Sequence, residues 1–161
     1  REGTQSGGGD GVAAQARGDR TVNPWLEGGC LCGAVRYRIT GQPIIGTLCH
    51  CRSCRLASGA PSLAWTVVRA DDFRHEGMLP VEFESSPGIF RTFCGACGTS
   101  LTWRSAARPD TVDVTTASLD RPDDVAPAKE IWLEHKLAWE AANPVLPHYA
   151  RSSVGATPIE D

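Results

Sequence analysis

Apolar and polar residues alternate along most of this chain in short runs cut by Gly, Pro and Asp, the period-two pattern of β-strands. Ala34-Val35-Arg36-Tyr37-Arg38-Ile39 alternates apolar and basic side chains, then breaks at Gly41-Gln42-Pro43. Residues 62–68 read as a further strand, followed by a short turn at Ala70-Asp71-Asp72-Phe73. Val81-Glu82-Phe83-Glu84 and Ile89-Phe90-Arg91-Thr92-Phe93 flank Ser85-Ser86-Pro87-Gly88, which has the composition of a hairpin turn. Residues 100–104 and 111–116 continue the pattern, and 54–58 fit one helical turn stopped by Gly59. Residues 128–142 are ambiguous. Ile131, Trp132, His135 and Trp139 fall near helical spacing among Ala, Glu, Lys and Leu, whereas Ile131-Trp132-Leu133 also reads as a buried strand. Spacing alone favours the helix.

The first 22 residues are rich in Gly and in polar and charged residues, with almost no large apolar side chain. Such a segment buries too little surface to offset its ordering entropy, so 1–22 is expected to be a disordered tail. Residues 23–150 are expected to form one domain and 151–161 a flexible C-terminal tail. At 161 residues, 41% hydrophobic and 22% charged, the chain has the material for one modest core. Its formal net charge of -3 argues against a nucleic-acid or anionic-membrane binder driven by bulk electrostatics. No apolar run approaches the roughly 20 residues of a membrane span, and residues 1–20 lack the apolar centre of a signal peptide. A cytoplasmic location is the expectation.

Seven cysteines change the picture most. An odd number fits poorly with a pure disulfide framework, and two pairs are C-x-C, too close in sequence to bridge easily. Metal is the better reading. Cys49-His50-Cys51-Arg52-Ser53-Cys54 places three thiols in six residues. In an extended segment Cys49 and Cys51 point one way and His50 the other, and the two-residue spacer to Cys54 lets the third thiolate converge. Cys30, Cys32, Cys94 and Cys97, from Cys30-Leu31-Cys32 and Cys94-Gly95-Ala96-Cys97, make a four-thiolate set from distant segments. Four sulfurs close a tetrahedral zinc and make it structural; three leave a position open, as in chemically active sites.

Three stretches carry a family resemblance: Gly29-Cys30-Leu31-Cys32-Gly33-Ala34-Val35-Arg36-Tyr37, Cys49-His50-Cys51-Arg52-Ser53-Cys54-Arg55, and Phe93-Cys94-Gly95-Ala96-Cys97-Gly98-Thr99. Together with Gly59-Ala60-Pro61 and Trp65 they resemble the glutathione-dependent formaldehyde-activating enzyme family, which includes centromere-protein-V-like domains. The resemblance spans roughly residues 25–147. It implies a mainly β, Mss4-like zinc fold of short antiparallel strands with little helix. It also implies two zinc ions, one structural on Cys30, Cys32, Cys94 and Cys97 and one open on Cys49, Cys51 and Cys54. Near residue 131 it implies a strand followed by a Trp, similar to Ile131-Trp132-Leu133 and Trp139, and this overrules the helical spacing.

A zinc with three thiolates carries a net charge of about -1 and is a weaker Lewis acid than a three-histidine site. It is better suited to hold a further sulfur ligand deprotonated. The expected chemistry is therefore the joining or separation of a thiol and an aldehyde, a carbon-sulfur lyase-type reaction with a small-molecule thiol such as glutathione; a non-catalytic zinc scaffold is the alternative. His50 is a candidate general base, but strand alternation aims it away from the metal. His135 and His148 read as ordinary, partly exposed histidines. Arg52, Arg55 and Arg91 are candidate carboxylate clamps. Trp65, Trp103, Trp132 and Trp139 read as core.

Overall fold

The computed structural model describes residues 25–159, and among these, ten strands are joined by one short α-helix and a few 3₁₀ turns. A three-stranded antiparallel sheet is built from β1 (Leu26–Gly29), β2 (Val35–Ile39) and β5 (Phe73–Gly77), in the order β1-β2-β5. A seven-stranded sheet contains β3 (Ile45–Cys49), β4 (Leu63–Arg69), β6 (Val81–Ser86), β7 (Ile89–Phe93), β8 (Ser100–Ser105), β9 (Arg108–Thr115) and β10 (Glu130–Ile131). Its order is β10-β3-β4-β9-β8-β7-β6, antiparallel except for the β10–β3 pair. The mainly β class read from the sequence is the class of the fold. The expected tail at 1–22 lies outside the described residues. Among those residues no helix is long and apolar enough to cross a membrane.

The alternation in β2 places Val35, Tyr37 and Ile39 inside and Arg36 and Arg38 outward. They pack against Val68, Leu101, Val112 and Val114 from one face of the large sheet. At about 1.5–3 kcal/mol per fully buried large aliphatic or aromatic side chain, this core is what holds the two sheets together. The other face of the large sheet is left for a site. Helix α1 (Arg52–Ser58) rises directly from Cys51, whose sulfur accepts from the Cys54 amide, and stops at Gly59 as the sequence indicated.

The helix that spacing favours over 128–142 does not form. Leu48 N donates to Lys129 O at 2.9 Å and His50 N donates to Ile131 O at 3.1 Å, so this segment joins the edge of β3 instead. Trp132 then adopts φ 62, incompatible with helical continuation, and a single 3₁₀ turn covers Leu133–His135. The strand implied by resemblance is present but is limited to Glu130–Ile131. Beyond residue 150, Arg151 O accepts from Trp132 N at 3.1 Å and Ile159 N donates to His148 O at 2.8 Å.

Candidate metal centres and the cleft

Both cysteine groups assemble as the spacing requires. The ligand atoms of Cys30, Cys32, Cys94 and Cys97 all lie within 4.8 Å of one another, as do those of Cys49, Cys51 and Cys54. All seven cysteines are unbridged. In the group of four, Cys30 Sγ is 3.5 Å from Cys32 Sγ, and Cys32 Sγ is 3.8 Å from Cys94 Sγ. Sulfurs on a tetrahedral zinc, each about 2.3 Å from the metal, sit about 3.8 Å apart, so the spacing fits that ion. Backbone donors surround the sulfurs: Val35 N reaches Cys30 Sγ at 3.2 Å. Gly33 and Gly98 follow the pairs at φ 76 and 77, a left-handed turn costly for residues with a Cβ. The Cys97 thiol is lowered to about 5, chiefly by the Thr99 hydroxyl at 3.2 Å and then by the Thr99 backbone. A lowered thiol is a ready thiolate ligand.

In the group of three, Cys49 ends β3, Cys51 caps α1 and Cys54 lies in its first turn. Cys51 is driven down, first by hydrogen bonding from Cys49 and then from Cys54, while Cys49 is driven up by the same contact. No fourth His, Cys, Asp or Glu atom joins this group within the same mutual distance among the described residues. His50 points away, as alternation requires. It is fully buried, with Nε2 2.8 Å from Glu130 Oε2 and Nδ1 3.1 Å from Glu140 Oε2. Glu130 Oε1 accepts from Asn143 N at 2.7 Å, and Glu140 Oε1 accepts from Ser62 Oγ at 2.5 Å. This network ties the segment after β10 behind the Cys49–Cys51 arm. Neither glutamate carries a sequence signal, since both sit in the stretch that spacing assigns to a helix.

The three sulfurs open into a cleft of about 530 Å³, within the ordinary range for small-molecule sites. Strand register explains its floor. Ile45, Val67, Asp113, Trp103 and Arg91 are directly opposed across β3, β4, β9, β8 and β7, so they share one sheet face, the face turned away from the core. Cys49, four residues along from Ile45, ends the same face. Trp65 is buried beside the sulfurs, and Trp103 and Trp132 line the cleft half-buried.

Several single-residue expectations change. Trp139 is 72% exposed and outside the core, while His148 is buried, with Nε2 3.0 Å from Asn143 O. His135 is exposed and stacks on Trp132. Of the three candidate arginine clamps, Arg91 alone lines the thiol cleft; Arg52 and Arg55 do not. Arg108 and Asp113 also line it, and sequence reasoning passed over both. Asp113 alternates with Val112 and Val114, which marks it as facing away from the core but not as facing a cleft.

Burial pushes the Asp113 carboxyl up to about 6, with Arg108 pulling the other way. The folded value lies above the unfolded one of about 3.9, so ionised Asp113 opposes folding. That penalty is absent below about pH 4, grows between 4 and 6, and is complete above the folded value. Asp113→Asn should therefore stabilise the protein by about 3 kcal/mol at pH 8 and leave it nearly unchanged at pH 4. Urea unfolding at the two pH values checks this, and equal effects at both would contradict it.

A mainly β protein with one closed four-thiol group and one three-thiol group facing a cleft is thus defined. A family model described as glutathione-dependent formaldehyde-activating enzyme matches residues 25–135. The chain belongs to that family. A protein of Halomonas elongata, provisionally named a glutathione-dependent formaldehyde-activating enzyme, is 29% identical over 124 residues, covering 71% of this chain and 78% of the relative. A Rhodobacter sphaeroides protein known from its crystal structure aligns with a TM-score of 0.50 at 23% identity. That alignment covers 58% of this chain and 87% of the other, and bears on fold alone.

Proposed function

We propose that this protein is a carbon-sulfur lyase-type enzyme that joins a thiol to an aldehyde, or releases them, at the Cys49/Cys51/Cys54 centre. Glutathione and formaldehyde are the substrates its family name suggests. The observation that carries the reading is the three-sulfur group, without a fourth protein ligand among the described residues, facing a cleft of small-molecule size. Zinc, which the donor set suits, supplies there a soft cation that keeps a thiol ionised near neutral pH. The chain's own residues do the rest. Cys49 and Cys51 hold their sulfurs on one side because the strand turns His50 to the other, where two carboxylates fix it. Trp65, Trp103 and Trp132 give the cleft an apolar wall that limits water, the competing nucleophile. Cys30, Cys32, Cys94 and Cys97 form a second, structural zinc site that takes no part in the reaction. Unbridged cysteines suit a reducing cytoplasm, where we place the activity.

The reaction balances without a further reactant: RSH and R′CHO give RS–CH(OH)R′. Exchange between ¹³C-formaldehyde and its glutathione adduct, measured by NMR with the protein-free rate subtracted, tests the reading. The wild-type protein should accelerate exchange, and Cys54→Ser should return it to background. A wild-type protein that leaves the exchange at the protein-free rate would make this a scaffold rather than an enzyme.

A further inference from the structure

We propose that Arg91 is a catalytic residue of this reaction, donating hydrogen bonds to the aldehyde oxygen as it becomes the hydroxyl oxygen of the adduct. The inference rests on the carbon–sulfur reading above. Arg91 lies on β7, is 8% exposed, and is fixed between Phe83 of β6 and Trp103 of β8. Its Nε donates to Ser85 Oγ at 3.3 Å, and its Nη2 points at Cys54 Sγ at 3.8 Å. Its Nη1 is buried with no hydrogen-bond partner among the described residues.

A guanidinium has five N–H donors, and a buried donor left unpaired is costly, so its retention calls for an acceptor that arrives with a ligand. Balancing the charge of a thiolate group would account for the contact to Cys54. It leaves Nη1 unexplained. The other arginine of the cleft is already engaged: Arg108 lies 5.1 Å over the Trp103 ring and 3.6 Å from Asp113. In the adduct, sulfur and oxygen are bonded to the same carbon, so a thiol taken up beside Cys54 brings that oxygen within reach of the Arg91 fork.

In the forward step the sulfur lone pair forms the C–S bond while the carbonyl π pair moves onto oxygen. The proton given up by the thiol ends on that oxygen, and nothing is oxidised or reduced. A fixed cation beside the oxygen stabilises the charge that develops there, a contribution typically seen as a rate effect of 10²–10³-fold when such a donor is removed. In the reverse direction the same contact favours the alkoxide from which the C–S bond breaks.

The test uses Arg91→Lys and Arg91→Gln in the metal-loaded protein, with adduct exchange measured beside thiol binding to the cobalt-substituted form. Both variants should bind glutathione within about tenfold of wild type yet lose about 10²-fold or more in turnover, with lysine the less damaged because it keeps the charge. Turnover within threefold of wild type in either variant overturns the inference while leaving the lyase reading intact. So does a turnover loss that merely matches a loss of thiol binding, or loss of metal from both variants, which would make Arg91 a structural counter-charge. A wild-type protein that binds thiol but does not accelerate exchange removes the lyase reading, and the inference with it.

Discussion

Replacing Cys94 with Ser is expected to abolish the folded state. Cys94 is fully buried in the main core, and its group joins the turn after β1 to the turn after β7. β1 belongs to the small sheet and β7 to the large one, so four thiolates on one zinc would staple the two sheets at one end. A structural zinc contributes on the order of 10 kcal/mol to a small fold, comparable to the whole stability of an ordinary domain. The variant should show no cooperative melting transition and retain little metal. A mild chelator applied to the wild-type protein should strip the three-cysteine group first, with the far-UV signal kept, and unfold the protein only as the second metal leaves. A Cys94→Ser protein that melts at the wild-type temperature would show that the four-thiol group is dispensable.

The strands that pack one face on the core and turn the other outward were legible in advance. In β2, and in β9 from Thr111 to Val114, apolar and polar residues alternate, because the inward ones meet the opposite sheet while the outward ones are polar. β3 was not legible as a strand, because Gly46 interrupts its apolar run. That glycine is there for contact, since a Cβ would approach Ala126 O to 2.6 Å. β5, Phe73-Arg74-His75-Glu76-Gly77, is an edge strand with polar residues on both faces and carries no hydrophobic period. The segment 128–142 misled by spacing because its conformation is set from outside: hydrogen bonds to the edge of β3 and the buried His50–Glu130 pair outweigh weak local propensity.

The cysteine groups were readable because C-x-C and C-x-x-C spacings bring sulfurs together locally, and the seven sulfurs do gather as four and three. The cleft was not. Its floor exists because five strands place Arg91, Trp103, Asp113, Val67 and Ile45 in one row, and register of that kind is a property of the assembled sheet. Arg91 was named as a candidate by charge alone; its burial and its aim at Cys54 come only from that register.

The functional effect that tests the three-cysteine centre itself is expected at Cys54. Its thiolate is one of three that would hold the open metal, and an alcohol is a poor ligand for a soft site, so Cys54→Ser should weaken thiol uptake by at least about tenfold. The fold should survive, because Cys54 is not one of the four thiols that join the small sheet to the large one. The decisive measurement is the absorption of the cobalt-substituted wild-type protein during titration with glutathione, with proton release followed in parallel. Sulfur-to-cobalt absorption should rise as one thiol binds per three-cysteine centre, with about one proton released, and Cys54→Ser should lose most of that response. A spectrum that no thiol perturbs, from a centre already four-coordinate with protein ligands alone, would contradict the enzyme reading and leave a zinc scaffold in its place.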